Sequence, residues 1–245
     1  MFPVMLLGPS LAGIMLTRIV DGRSGLRGLF SRMFRISLPP RWYAALLIPP
    51  VLILITLFGL KTFVSAVYVP NRFFMGVLFG VPAGLFEEIG CMGYAFPKMS
   101  SCRSALASGI WLGLLWSLWH LPAINYLGTA TPHGAYWFPF FLAFTIAMTA
   151  MRVLITWVYV NTKSVLLTQL LHTSSTGALV VLSPSHATAA QEALWYAAYG
   201  MVLWALVAII VGRYGRELIE ADSSLFGRAV STAAPAARND KSVNL

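Results

Sequence analysis

The chain has 245 residues, of which 58% are hydrophobic and only 10% are charged, and its mean hydropathy is +0.75. Ordinary globular domains carry roughly a quarter of charged residues, so this composition excludes a soluble enzyme. The length allows about seven helices of about 20 residues each, with no second folded domain. The sequence therefore predicts an all-α, polytopic transmembrane helical bundle over residues 1–212 and a largely disordered polar tail over residues 213–245.

Seven apolar segments are predicted to be membrane-spanning helices, because irregular backbone at membrane depth would leave polar groups unpaired. In chain order they are Phe2–Thr17, Trp42–Leu60, Phe73–Phe96, Ala105–Leu121, Trp137–Val160, Ser164–Leu182 and Ala193–Val211. The first segment is short and lacks both the basic flank and the small-residue site of a cleavable signal peptide. This leaves open a chain that begins further upstream, with another helix before Met1.

The positive charges predict the orientation of the bundle. The net charge is +9, and the Lys and Arg residues concentrate in the first loop, after the third span, around the exit of the fifth span and in the tail. Arg152 counts among the charges near the cytoplasmic end of the fifth span. By the positive-inside rule these loops and the C-terminus are cytoplasmic, as in a protein of a bacterial inner membrane. The charge is thus a topology signal, aided by anionic membrane lipid, and we expect no nucleic-acid partner.

Four ionisable side chains lie inside the predicted spans. Glu87 and Glu88 are the only two of the eight acidic residues well inside an apolar segment, and His120 and His172 are the two of four histidines in predicted helices. Ionisable groups in the hydrocarbon region are costly and are by default functional candidates. The alternative is a hydrogen-bonded cluster that only holds the bundle together.

Helical spacing separates the two carboxylates. Gly76, Gly80 and Gly84 recur at every fourth position of the third span and form a ridge that lets another helix approach closely. Glu88 continues this ridge, whereas Glu87 points about 100° away from it. We therefore expect the two carboxylates to have different neighbours, one poised for chemistry and the other structural.

One glutamate and two histidines around a water-accessible cavity suit two chemistries. The carboxylate can act as general base on a water molecule that the histidines orient, and this preferred mechanism requires no cofactor. Alternatively Glu87, His120 and His172 ligate a divalent metal such as zinc, although the HExxH spacing of soluble zinc proteases is absent. Cys91, one turn from Glu87, is a weaker candidate as a nucleophile.

Three motifs on these helices resemble one family. The stretch EEIGCMGYAFPKM, residues 87–99, is similar to the EExxxRG motif of the CPBP family, the CAAX-processing and bacteriocin-processing intramembrane proteases, also called Abi proteins. Trp116 and His120 match its second motif, an aromatic residue four positions before a histidine. His172 and Thr176 align with its third motif, HxxxN.

The resemblance covers about residues 70–180 and implies hydrolysis of a peptide bond within or near the membrane. In that family pattern Glu87 would activate water and His120 would help to position it. His172 and Thr176 would line the site of the oxyanion. The implied partner is a peptide or protein substrate with a membrane-proximal cleavage site.

Two positions depart from the family pattern. Met92 stands where the first motif has arginine, so we expect Glu88 to be protonated or to pair with another residue such as Arg152. Thr176 replaces the asparagine of the third motif and retains one hydroxyl donor. These departures keep open a proteolytically silent member that acts as a membrane scaffold or regulator. A proton-coupled carrier is a third hypothesis.

Overall fold

The computed structural model describes residues 2–122 and 133–220, and in these two ranges the regular structure is entirely helical. The main helices are α1 (Phe2–Val20), α2 (Gly22–Met33), α3 (Pro40–Phe63), α4 (Phe74–Met99), α5 (Ala105–Trp119), α6 (Gly134–Thr162), α7 (Val165–Leu182) and α8 (Ala189–Tyr214). This architecture confirms the predicted all-α bundle.

Five of these helices, α3, α4, α6, α7 and α8, are long and apolar enough to cross a membrane. The apolar part of α1, Val4–Val20, and helix α5 are shorter. Each of the seven predicted apolar segments is therefore helical, and the protein is an integral membrane protein.

Close contacts between α4 and α7 follow the glycine ridge. A Cβ atom on Gly80 would lie 2.6 Å from the backbone nitrogen of Gly177, and one on Gly84 would lie 2.5 Å from the backbone nitrogen of Thr173. Real Cβ atoms do not approach backbone so closely, so only glycine allows α7 to pack here. The predicted close approach is confirmed, and it brings Glu88 level with α7.

Helix α1 packs against another side of α4. A Cβ atom on Gly13 would lie 2.7 Å from the Cα atom of Gly90, and the hydroxyl of Ser10 donates a hydrogen bond to the carbonyl of Phe86. The glutamates therefore lie in a stretch of α4 that is packed between α1 and α7.

Helix α2 lies in the arginine-rich first connection, where the sequence predicted only a basic loop. Its buried Leu29 would touch any side chain at Gly93 of α4. Arg32 donates one hydrogen bond to the carbonyl of Gly93, at 2.9 Å, and another to the hydroxyl of Tyr159 on α6. Gly93 belongs to a π-helical turn, Cys91–Ala95, which interrupts α4 directly after the glutamates.

The segment after α8 turns back onto the bundle. The amide of Asn161 donates to the carbonyl of Leu218 at 2.8 Å and its oxygen accepts from the backbone nitrogen of Glu220 at 2.8 Å. Residues 221–245 lie outside the described ranges, so the disordered tail stays a prediction.

Candidate active site

Trp116 on α5 is the centre of the polar cluster. Its indole nitrogen donates a hydrogen bond of 2.7 Å to Oε2 of Glu87. The rings of His120 and His172 meet the indole edge to face, with centroids 5.2 and 4.9 Å away. The guanidinium carbon of Arg152 lies 4.3 Å from the ring centroid, within the range of a cation–π contact. Four helices, α4, α5, α6 and α7, thus deliver side chains to one tryptophan.

Glu88 forms a fully buried ion pair with Arg152 on α6. Nη1 of Arg152 lies 2.6 Å from Oε1 and 2.8 Å from Oε2 of Glu88, and both side chains are 0% exposed. A buried charge requires such a partner because unpaired burial is strongly destabilising. Arg152 is therefore the internal counter-ion of Glu88 and not one of the loop charges that signal topology. Met92 is buried in the core and leaves this role to α6.

His172 on α7 is held by the same carboxylate. Its Nδ1 atom lies 2.7 Å from Oε1 of Glu88. Because Arg152 favours the ionised form of Glu88, this oxygen accepts and Nδ1 carries the proton. In the neutral ring, Nε2 then carries a lone pair and can accept a hydrogen bond.

His120 has the same tautomer for a different reason. The residue caps the C-terminus of α5, and its Nδ1 lies 2.7 Å from the carbonyl oxygen of Trp116. A carbonyl can only accept, so Nδ1 donates and Nε2 is the lone-pair nitrogen in the neutral ring. The ring also lies beside Phe144 of α6, with a centroid separation of 5.6 Å.

The two glutamates have different environments, as the spacing predicted. Glu88 accepts from both Arg152 and His172, so its oxygens are well supplied with donors. Glu87 is 4% exposed and accepts from Trp116 alone, with no ion pair to any described residue. The oxygens of Glu87 can therefore accept further hydrogen bonds, whereas those of Glu88 are occupied by Arg152 and His172.

The remaining predicted site residues make fewer polar contacts in the described part of the chain. Thr176 lies one turn after His172 and is half-buried, and its hydroxyl makes no hydrogen bond to the described part of the chain. Cys91 is half-buried and begins the π-helical turn of α4. Within residues 2–122 and 133–220, no three side chains of His, Cys, Asp or Glu are grouped so that they could hold a metal ion. The zinc alternative therefore has no preformed ligand set among these side chains.

Two members of the cluster were not predicted as site residues. The sequence places Trp116 only as the aromatic position before His120, and it gives Arg152 as a topology charge and as one possible partner of Glu88, a pairing that the structure confirms. The sequence contains a feature that points to each of these two residues. An aromatic residue four positions before a histidine shares its helix face, and Arg152 is a charge inside an apolar segment, which is the criterion that singled out the glutamates.

The fold and the cluster together define a polytopic membrane protein with a buried Glu, His and Arg site. The family model described as type II CAAX prenyl endopeptidase Rce1-like matches residues 69–178, which contain every residue of the cluster. The chain is also 35% identical over 94 residues to CAAX prenyl protease 2 of Methanococcus maripaludis. That match covers 37% of this chain and 34% of the relative, so it spans about a third of the relative's length.

This central region is thus similar to the CAAX protease family, the family that the three motifs resemble.

Proposed function

We propose that the protein is an intramembrane endopeptidase that hydrolyses a peptide bond at or within the membrane. The observation that carries the proposal is the difference between the two buried carboxylates. Glu88 is neutralised by Arg152, whereas Glu87 accepts a hydrogen bond from Trp116, whose ring contacts both histidines. Glu87 thus keeps oxygen lone pairs that can take a proton from water, whereas the oxygens of Glu88 are engaged by Arg152 and His172.

The proposed reaction begins with a water molecule between Glu87 and His120. Glu87 takes one proton, and Nε2 of His120 accepts a hydrogen bond from the other O–H group and orients it. The water oxygen bonds to the carbonyl carbon, and the C=O electron pair moves onto oxygen. When this adduct collapses, the C–N bond breaks and the leaving nitrogen takes the proton from Glu87.

Glu88, Arg152 and His172 form the supporting chain of this mechanism. Glu88 fixes the tautomer and orientation of His172, as a buried carboxylate does for the histidine of a serine protease triad. The family resemblance assigns His172 and Thr176 to the oxyanion. The neutral His172 ring offers a lone pair at Nε2, so it can donate there only after gaining a second proton.

The pair between Arg152 and Glu88 also supports activity over a silent scaffold. The silent alternative rested on Met92, which cannot neutralise Glu88. Arg152 supplies that positive charge from a different helix. No metal takes part in these steps, and a divalent metal such as zinc at Glu87, His120 and His172 is a separate proposal that a chelator tests.

The proposed substrate is a peptide or protein cleaved close to the membrane. The matched relative is named a CAAX prenyl protease, so a prenylated C-terminal tetrapeptide is the first probe. Membrane lipid surrounds the apolar faces of the bundle, and the basic loops and C-terminus are proposed to face the cytoplasm of a bacterial cell.

A cleavage assay tests this function. The full chain in lipid vesicles is given two reporters, a prenylated CAAX peptide and an unprenylated peptide with a membrane-proximal leader site. We expect the wild type to cleave at least one, and Glu87→Ala and His172→Ala to cleave neither. The same rate in all three proteins, or none in the wild type, would contradict the proposal. Loss of wild-type activity with a chelator would favour the metal mechanism.

A further inference from the structure

Arg152 is only partly used by its ion pair. One of its nitrogens, Nη1, makes both hydrogen bonds to Glu88. The other two, Nε and Nη2, are buried and have no hydrogen-bond partner among the described residues. A guanidinium has five N–H groups, so the unused edge formed by Nε and Nη2 carries three buried donors.

Unpaired buried donors of this kind are rare in folded proteins, because each loses its hydrogen bonds to water without replacement. Here the whole side chain is 0% exposed, so bulk water does not satisfy them. An acceptor that binds at the site would satisfy them. The location also matters, because Arg152 lies on the face of Trp116, whose N–H holds Glu87.

The proposed reaction needs such a donor. When water adds to a peptide carbonyl, negative charge develops on the carbonyl oxygen, and fixed N–H groups are the usual stabilisers of that charge. His120 and His172 both use Nδ1–H elsewhere and present lone pairs at Nε2 when neutral. Thr176 has a single hydroxyl.

We propose that the Nε–Nη2 edge of Arg152 binds the carbonyl oxygen of the scissile peptide bond and stabilises the oxyanion. This inference rests on the proposed function and assigns its electrophilic group. Arg152 keeps all of its protons throughout, since a guanidinium is not deprotonated in proteins. Arg152 thus serves two partners, Glu88 through Nη1 and the substrate through the opposite edge.

The competing explanation is that Arg152 only neutralises Glu88. Two variants separate these roles. Arg152→Lys keeps a positive charge for Glu88 but loses the two-nitrogen edge. Combining Arg152→Met with Met92→Arg returns a guanidinium to Glu88 from one helical turn along α4, and leaves no donor at position 152.

The experiment uses the full chain in lipid vesicles and the reporter that the wild type cleaves. For Arg152→Lys we expect kcat to fall by at least about 100-fold, with KM within about threefold of the wild type. A phosphonamidate analogue of the reporter, which mimics the tetrahedral adduct, should lose affinity in parallel. A reduced-amide analogue, which has no carbonyl oxygen, should bind both proteins equally. The Met92→Arg/Arg152→Met protein should regain wild-type thermal stability without regaining kcat.

Recovery of kcat in the double variant would overturn the inference, because a charge for Glu88 would then suffice. Unchanged kcat and analogue affinity in Arg152→Lys would overturn it as well, while leaving the proposed function intact. If the double variant does not fold, the Lys variant and the two analogues decide the question. A wild type that cleaves neither reporter would reject the proposed function and this inference together.

Discussion

Glu87 and Glu88 are adjacent in the sequence, yet they bind different helices. Successive residues on an α-helix point about 100° apart, so their divergence was predictable from spacing alone. Their partners were only partly predictable, since Arg152 was one of two possibilities for Glu88 and no partner was predicted for Glu87. Trp116 reaches Glu87 from α5 and Arg152 reaches Glu88 from α6. These pairings depend on how the helices pack against one another, which periodicity along a single helix does not encode.

Removal of the indole N–H of Trp116 tests the role of this single residue in the site. Trp116→Phe keeps an aromatic ring for the contacts with Arg152 and the histidines but removes the only donor to Glu87 in the described part of the chain. We expect a loss of about 1.5–3 kcal/mol in unfolding free energy, because the hydrogen bond is buried and its acceptor is charged. Cleavage should fall as well, since the base is no longer held. Thermal unfolding and kcat measure the two effects.

Trp119→Phe is the matched control for this substitution. Trp119 is on the same helix, is 40% exposed, and donates to the carbonyl of Met5 at a longer distance of 3.3 Å. We expect it to change stability by less than about 1 kcal/mol. Equal effects of the two substitutions would show that Trp116 has no special role.

At the scale of helices, close packing sets the position of the site. The glycine ridge of α4 brings α7 near enough for His172 to reach Glu88. The every-fourth spacing of the glycines predicted this contact, because small residues at that interval form a continuous face. The π-helical turn at Cys91–Ala95 and the docking of α2 were not predicted, since both depend on contacts between distant segments.

Gly84→Ala tests the ridge. The added Cβ would lie 2.5 Å from both the carbonyl oxygen of Gln169 and the backbone nitrogen of Thr173, so α4 and α7 must separate. We expect a loss of about 1–3 kcal/mol in stability and a fall in cleavage, because Glu88 moves away from His172. Gly59→Ala on α3 is the control, since a Cβ there has nothing within 4 Å. Similar losses at both positions would argue against the ridge.

Arg32→Met tests the docking of α2. Arg32 is half-buried and donates to Gly93 in the π-helical turn and to Tyr159. We expect thermal unfolding to report a loss of about 1–2 kcal/mol, because the carbonyl of Gly93 loses a charged donor. Arg27→Met on the exposed side of α2 removes the same charge and should be nearly neutral. If Arg27→Met is equally destabilising, net charge and not docking is responsible.

Lys163 ends α6 in a left-handed conformation, with φ of 52°. Partial burial lowers the pKa of its ammonium group, and the nearby positive charge of Arg32 lowers that pKa further. Glycine adopts this conformation without steric cost. We therefore expect Lys163→Gly, which removes both the disfavoured charge and the Cβ atom, to raise the unfolding free energy by about 1 kcal/mol. Lys163→Ala removes the charge but keeps a Cβ atom, so it should raise the unfolding free energy less. A destabilised glycine variant in thermal unfolding would contradict this expectation.

At the scale of the whole molecule, composition and hydropathy were sufficient to predict the bundle and its apolar segments, because the membrane allows few backbone structures. The same criterion, a charge inside an apolar segment, identified Glu87, Glu88, His120 and His172. The same criterion applies to Arg152, which the sequence gives as a topology charge and as a possible partner of Glu88. The missing arginine at Met92 was thus visible in the sequence, and Arg152 was one possible replacement; the structure selects it through the side-chain contact with Glu88.

Glu87→Gln and Glu88→Gln, compared side by side, test most directly whether Glu87 performs the chemistry while Glu88 holds the site together. We expect Glu87→Gln to lower kcat by at least about 100-fold and to leave the unfolding free energy within about 1 kcal/mol of the wild type. Glu88→Gln should lower the unfolding free energy by about 3–5 kcal/mol, because Arg152 then becomes a buried charge without a partner. Retained cleavage in Glu87→Gln, together with unchanged stability in Glu88→Gln, would contradict this division of roles.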